Sequence, residues 1–385
     1  MEAGRVRLAS QLLAQNALPA TLLAAFDACP RDWFIPDVAW AREEGGHGRH
    51  RRIDRGRDVE EWAAAVFEDS PITTQFSDGT EEGSASDFPT SSNSMPSMVL
   101  AMLNTLDLDG LDTADAVLEI GTGTGWNAAL MAAAHPGTVA SIEYDPAVAE
   151  QAKSVFTRHN ITVHTCLGDG TKGCIAYAPY ARIIATCSVR HLPAQWIEQT
   201  RPGGLIVAPL GTRYGGEGIM RLTVDEKGGA EGRFTQSSAF MRLRQQRGSG
   251  FAPIDWLGGK PWPADGTRST TLISPTATDD WLAELVIGMH HPTLAYTIER
   301  YQDGTFTYWL VDRDGDSWAT VDHVEDAEEF EVVQGGSRRL WDDVTHTVGW
   351  WEEHGRPDYE RFGLTVAPDG THTYWIDDPA QLVGR

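Results

Sequence analysis

Residues 117–126 read VLEIGTGTGW, an apolar run that ends in three glycines at alternate positions. A short apolar run, a glycine turn and then a helical pattern make the opening βα step of a nucleotide-binding sheet. A dinucleotide fingerprint places its third glycine three positions after the second, so that the helix presses on the strand and a pyrophosphate rests on the helix N-terminus. That position here is Trp126, which rules the fingerprint out. What remains is Gly121, Gly123 and Gly125 in G-x-G-x-G spacing, with Glu119 two residues ahead of them. No Lys-Ser or Lys-Thr follows the turn, so it is not a P-loop.

Outward from this turn, helix and strand patterns alternate. SMPSMVLAMLNTL reads as a helix with Ser94 in the N-cap position, AVLEI as a buried strand and GWNAALMAAAH as a helix. TVASIEY is the next strand, and the helix after it opens with Asp145 and Pro146 in cap and first-turn roles. TVHTCLGDG, ARIIATC and GGLIVAPLG supply three more strands. Short apolar strands separated by helices predict an α/β fold, a mostly parallel Rossmann-like sheet with helices on both faces. Its strand ends share one crevice.

The flanks differ in texture. Residues 5–28 carry two short helical patterns split at NALPA, with Leu12, Leu13, Leu22, Leu23 and Phe26 as apolar faces. Residues 41–60 are rich in glycine and charge and read as a surface excursion or lid, with Arg49, His50, Arg51, Arg52, Arg55 and Arg57 as a basic cluster. After residue 254, Asp-Gly turns at 303–304 and 314–315 separate aromatic and β-branched runs and predict a meander. A helix with Leu340, Val344, Val348 and Trp351 on one face follows, ending at Gly355 and Pro357. This region holds nine of the chain's 14 tryptophans, enough for a small α+β core or an aromatic peptide-binding surface. The expected division is 1–93, 94–254 and 255–385.

A chain of 385 residues with a net charge of -24 is long enough for more than one core and a poor partner for nucleic acid, which needs a basic face. No stretch reaches the ~20 apolar residues of a membrane span, so a cytoplasmic protein with no membrane partner is expected. Cys29, Cys166, Cys174 and Cys187 form no C-x-x-C pair and are expected as reduced thiols. His290 and His291 lack a third ligand, and DRDGDS fails as a calcium loop because residue 323, where its terminal Glu belongs, is His; no metal is expected.

Two carboxylates follow the turn at informative spacing. Glu143 ends the next strand, where it can accept both hydroxyls of a ribose. Asp169 ends the third, where it can meet an adenine edge while Gly168 and Gly170 allow close backbone approach. An adenosine site without a phosphate cradle points to S-adenosylmethionine and a class I methyltransferase sheet, extended by the C-terminal α+β region.

CPRDWFIP, SMPSMV, VLEIGTGTGWNAAL, SIEYDP, GDGTKG, RPGGLIVAPLG and GFAPI together resemble the protein-L-isoaspartate O-methyltransferases over about residues 5–254. The resemblance implies that Ser94 is the active-site serine and that Glu119, Gly121, Gly123, Gly125, Asn127, Glu143, Asp169 and Gly170 hold the cofactor. Thr73, Thr74, Ser92 and Asn93 are the accompanying substrate-side candidates.

The chain also departs from the family. The repair enzymes carry Gln-Thr-Ile-Ser-Ala-Pro-His where this chain has SSNSMPS, an Asp gives way to Ala181, and residues 255–385 extend past the point where repair members stop. In this layout the chain resembles the methyltransferase subgroup that accompanies ribosomally made peptides such as graspetides and lanthipeptides. That resemblance implies methylation of an ordinary aspartate in a constrained peptide, followed by closure to aspartimide. The alternatives are isoaspartyl repair, a non-catalytic peptide-binding component of a maturation complex and, more remotely, a small-molecule O-methyltransferase. Against the long-range repulsion of an acidic peptide, the basic cluster and the tryptophan-rich region are the expected docking surfaces.

Overall fold

In the computed structural model, residues 1–43, 50–80, 88–248, 250 and 252–384 are described. The chain opens with helices α1 (Glu2–Ala14) and α2 (Leu23–Ala28). A small antiparallel sheet follows, from β1 (Val38–Arg42), β2 (His50–Asp54), β3 (Ile72–Phe76) and β4 (Pro89–Asn93), with α3 (Val59–Val66) between β2 and β3. The surface excursion expected at 41–60 is therefore corrected: Arg42 pairs opposite His50, and Ala39, Ala41 and Ile53 give the hairpin a buried face. Too few apolar residues carry that face for alternation to be visible among the arginines. Residues 44–49, Arg49 included, lie outside the described residues.

β4 runs through Ser94 and Met95 into α4 (Pro96–Leu106). The alternation expected from the glycine turn then unfolds as β5 (Ala116–Ile120), α5 (Trp126–Ala134), β6 (Thr138–Glu143), α6 (Pro146–Arg158), β7 (His164–Leu167), β8 (Tyr180–Ala185), α7 (Ala194–Glu198) and β9 (Thr200–Gly211). These five strands are parallel in the spatial order β7-β6-β5-β8-β9. The order reverses at β5, so the crevice opens beyond the ends of β5 and β8, where open α/β sheets hold their ligands. Along β5, Val117 packs into one core with α2, α4 and α5, while Leu118 packs into a second with Tyr180 and Trp196 on the opposite face. Burial on both faces explains why these strands read as continuous apolar runs.

β10 (Glu217–Val224), antiparallel to β9, and β11 (Ala230–Ser237), antiparallel to β10, extend the sheet. Beyond residue 255, β12 (Thr267–Thr271), β13 (Leu294–Arg300), β14 (Phe306–Asp312), β15 (Trp318–His323) and β16 (Phe330–Gly335) form a separate antiparallel sheet, with α8 (Trp281–His290) between β12 and β13. α9 (Leu340–Glu353) packs Leu340, Val344 and Val348 into the core of that sheet, and Trp351 into the methyltransferase core. The last hairpin, β17 (Phe362–Val366) and β18 (His372–Ile376), joins the nine-stranded methyltransferase sheet through β11. The sequence boundary at 255 therefore does not separate the two sheets. Trp309, Trp318, Trp341, Trp351 and Trp375 are buried, whereas Trp281 is 45% exposed.

Two local expectations are corrected. Ser94 is not the N-cap of α4: the helix starts at Pro96, whose missing N–H needs no cap, and Met95 occupies the capping position. Cys166 and Cys174 are joined by a disulfide, because the chain after β7 curls back around a short turn at 170–172; Cys29 and Cys187 are free thiols. Among the described residues no helix is long and apolar enough to cross a membrane, and no cluster of metal ligands occurs.

Candidate active site

One cavity of about 1270 Å³ occupies the crevice. Its donor end is built from three successive features of the βα repeat. Gly121, Gly123 and Gly125 all have positive φ, and a Cβ on Gly125 would come within 2.7 Å of the Phe156 ring, so the turn requires glycine there. Glu143, at the end of β6, accepts from Gly123 N at 2.9 Å and from Tyr144 N and Asp145 N at 2.9 and 3.0 Å. Its carboxylate is thereby fixed in the cavity wall beside the glycine turn.

Glu119 lies fully buried beneath the turn, and desolvation pushes its pKa up to about 8 against the opposing hydrogen bonds from Ser141 and Asn127. Ser141 Oγ donates to it at 2.5 Å and Asn127 Nδ2 at 2.7 Å. That leaves Asn127 Oδ1 buried with no partner. Trp126, where a dinucleotide fold has glycine, donates Nε1 to Cys29 O at 2.9 Å and so fixes the N-terminal region on the turn.

The acceptor end is nonlocal. Ser94 lines the cavity, and its Oγ makes no hydrogen bond among the described residues. Thr73 and Ser92 stand in the same wall. Asn93 does too, but its amide is committed: Oδ1 accepts from Arg31 Nε at 2.7 Å and Nδ2 donates to Thr124 Oγ1 at 2.9 Å. Thr74 sits at a break in the β3–β4 register and donates its hydroxyl to Ser91 Oγ at 3.1 Å, and it is not among the residues lining the cavity.

Asp169 stands next to the cavity, with one carboxylate oxygen already engaged. Its Oδ1 caps the following turn, accepting from Thr171 N at 2.9 Å and Thr171 Oγ1 at 2.7 Å, and Gly170 rather than Asp169 lines the cavity. A carboxylate one residue before a tight turn satisfies the turn's N–H groups first.

Several residues that shape the site carried no assignment from sequence. Arg31 is 2% exposed, and its guanidinium donates to Asn93 Oδ1, Val66 O, Glu68 O, Ser70 O and Ser94 O, which clamps the acceptor segment from behind. Burial lowers its pKa to about 9. Its signal was CPRDWFIP, whose arginine sits between prolines in a run that is apolar apart from Arg31 and Asp32. Beside the donor end, Arg247 binds Asp78 at 2.8 and 3.0 Å, and Arg244 reaches Asp78 at 3.1 Å and Asp145 at 3.5 Å. From the C-terminal region, Trp281 and Tyr359 enter the cavity wall. The basic cluster expected to dock a peptide is largely spent internally: Arg51 pairs with Glu61, Arg52 with Asp54 and Arg55 with Asp37.

A glycine turn under a ribose-ready carboxylate, with an unpaired polar atom beneath it, fits a donor that carries adenosine and an amino acid. The model of the protein-L-isoaspartate(D-aspartate) O-methyltransferase family matches residues 50–248. The chain belongs to this family. It is 38% identical over 171 residues to the protein-L-isoaspartate O-methyltransferase of Pyrococcus horikoshii, an alignment covering 44% of this chain and 70% of that one. It is 36% identical over 158 residues to protein-L-isoaspartate O-methyltransferase 2 of Archaeoglobus fulgidus, covering 40% and 70%. A solved protein-L-isoaspartate O-methyltransferase has the same fold at 21% identity and a TM-score of 0.52, over 97% of this chain and 100% of that one.

Class I methyltransferase architecture is thus established, with S-adenosylmethionine as donor and a carboxylate as acceptor. The fold match to that solved structure spans 97% of this chain and so reaches into the C-terminal region.

Proposed function

We propose that the protein methylates an isoaspartyl carboxylate in a peptide chain, the acceptor named for its relatives. The observation that supports this most is Ser94: a hydroxyl with no partner, in the wall of the cavity that also holds the glycine turn. A carboxylate with a pKa of about 3.9 is already ionised at neutral pH and needs no general base. The bound donor supplies an electrophilic methyl group on a sulfonium. The chain's own work is to align and desolvate the acceptor, with Ser94 Oγ donating to the carboxylate oxygen that does not react. Glu119, Asn127 and Glu143, with the glycine turn, hold the donor.

A second reading is favoured by a specific feature. Residues 91–96 read SSNSMP, without the Gln, Ile and His of the repair enzymes, and the C-terminal region adds Trp281 and Tyr359 to a wide cavity. Both suit an unmodified aspartate in a cyclised, ribosomally made peptide of the graspetide or lanthipeptide kind. After methylation of such a residue, the next backbone nitrogen attacks the ester carbonyl. The C–N bond forms, the C–OCH3 bond breaks, and methanol leaves with the amide proton to give a succinimide.

Mass spectrometry after incubation with donor separates the two readings. A methylene mass gained by linear isoaspartyl peptides alone supports repair-type chemistry. The same gain on a cyclised aspartyl peptide, followed by net loss of water, supports the second. Folded, donor-binding protein that methylates neither overturns both.

A further inference from the structure

The cavity continues past the reacting region to an end where the methyltransferase sheet meets the C-terminal region. The segment Met241–Leu243 lies there against Ser188, just beyond β8, and turns the Arg242 side chain into the cavity wall. The guanidinium packs over Gly211, where an added Cβ would come within 3.1 Å of Nη2. Arg242 makes no hydrogen bond or ion pair among the described residues, and its Nη1 is fully buried without a partner.

A guanidinium carries five donors and stays charged at physiological pH, so burying one without a counter-ion is unfavourable. Burial lowers its pKa, as it does that of the neighbouring Arg190; the nearby Glu217 opposes the shift on Arg242 but makes no hydrogen bond or ion pair with the guanidinium among the described residues. The acids in this part of the wall direct their hydrogen bonds to other groups. Glu217 Oε1 accepts from Ser238 Oγ at 2.9 Å and Phe240 N at 2.8 Å, Asp280 caps α8, and Asp358 accepts from Tyr359 N. Trp281 is held over the same spot, donating Nε1 to Ser238 O at 2.9 Å and Glu217 O at 3.2 Å.

We infer that this end is a second acceptor subsite, in which Arg242 takes the carboxylate of an acidic side chain flanking the residue to be methylated and Trp281 forms the apolar wall. Arg242 is a poor partner for the reacting carboxylate itself, because neutralising that charge lowers its nucleophilicity. The subsite also answers how a chain of net charge -24 retains an acidic peptide: one half-buried cation with an unsatisfied guanidinium acts at short range where long-range steering is adverse. The inference rests on the peptide-carboxylate reading above.

The test uses peptides that carry Glu or Gln on either side of the reacting residue, titrated calorimetrically into protein saturated with S-adenosylhomocysteine, so that no turnover is needed. Wild type binds a Glu peptide at least ~10-fold more tightly than its Gln twin, the range of a charge-assisted hydrogen bond. Arg242→Gln removes the difference, leaves S-adenosylhomocysteine affinity unchanged and does not lower the melting temperature; Arg242→Lys keeps part of the preference. Equal binding of both peptides by wild type, or a preference that survives Arg242→Gln, overturns the inference. So does a loss of S-adenosylhomocysteine affinity in its place, since Arg242 would then serve the donor's own carboxylate. Methyl incorporation into the same peptides is scored separately, so failure of the functional reading is distinguishable from failure of the subsite.

Discussion

The donor and acceptor ends of the cavity are built on opposite plans. At the donor end, Gly121 to Gly125 and Glu143 come from consecutive βα units, and the carboxylates already receive bonds from their own neighbourhood. At the acceptor end, Arg31, Ser92, Ser94, Arg242, Trp281 and Tyr359 come from five distant stretches of chain; Arg31 and Trp281 are spent on the scaffold, whereas Ser94 Oγ, Arg242 Nη1 and the Tyr359 hydroxyl make no hydrogen bond among the described residues. A site that always binds the same cofactor can be finished in advance. A site that reads a variable peptide keeps its donors free until the peptide arrives, and relies on a scaffold behind it for rigidity.

That contrast breaks most visibly at Arg31. Arg31→Met strands Asn93 Oδ1 and several buried carbonyls, and should cost about 3 kcal/mol or more of unfolding free energy in denaturant melts. Protein that remains folded should bind donor well and turn over poorly, because the clamp supports only the acceptor segment. Equal loss of both functions would erase the division between the ends.

Next in size is a pair at the donor end. Glu143→Ala should weaken donor binding by about 30- to 100-fold, the worth of charge-assisted hydrogen bonds to a ribose. Asp169→Asn preserves the acceptor that caps the turn at 170–172 and should leave the dissociation constant within about two-fold, because Oδ1 is already spent on that turn. Calorimetry with S-adenosylhomocysteine checks both, and a large loss in the second would return Asp169 to the adenine edge.

Ser94→Ala sharpens the acceptor side. Loss of one hydrogen bond to a charged acceptor should lower kcat by about 10- to 30-fold with donor affinity unchanged, as single-turnover rates and calorimetry would report together.

The smallest effect is a slope. Burial pushes the Glu119 pKa up to about 8 in the folded chain, against its ordinary value of 4.5. Between those values the folded state holds a proton that the unfolded state releases. Stability of donor-free protein should therefore fall as pH rises, by up to about 1.4 kcal/mol per pH unit from this group. Glu119→Gln should flatten that dependence in urea melts across the window, and an unchanged slope would show that the carboxyl titrates normally.

Much of the fold was legible because it is periodic. Val117 and Leu118 are both apolar since both faces of β5 are covered, and Asp145 announces α6 since its side chain caps Ala147 N and Val148 N. The hairpin of β1 and β2 was not legible, because ion pairs such as Arg52 with Asp54 fill a surface that sequence reads as a loop. Nor was the Cys166–Cys174 disulfide, which depends on where the chain turns after β7.

By itself, the sequence determined the glycine turn, the carboxylate at the next strand end and therefore the class of donor, because those constraints act within one βαβ stretch of chain. The tertiary structure alone decided that Arg31 braces the acceptor segment, that Ser94 is left free of a capping role, and that β17 and β18 complete the methyltransferase sheet while Trp281 closes its cavity. Those outcomes hinge on which distant groups satisfy one another once water is excluded, and no local pattern encodes that choice.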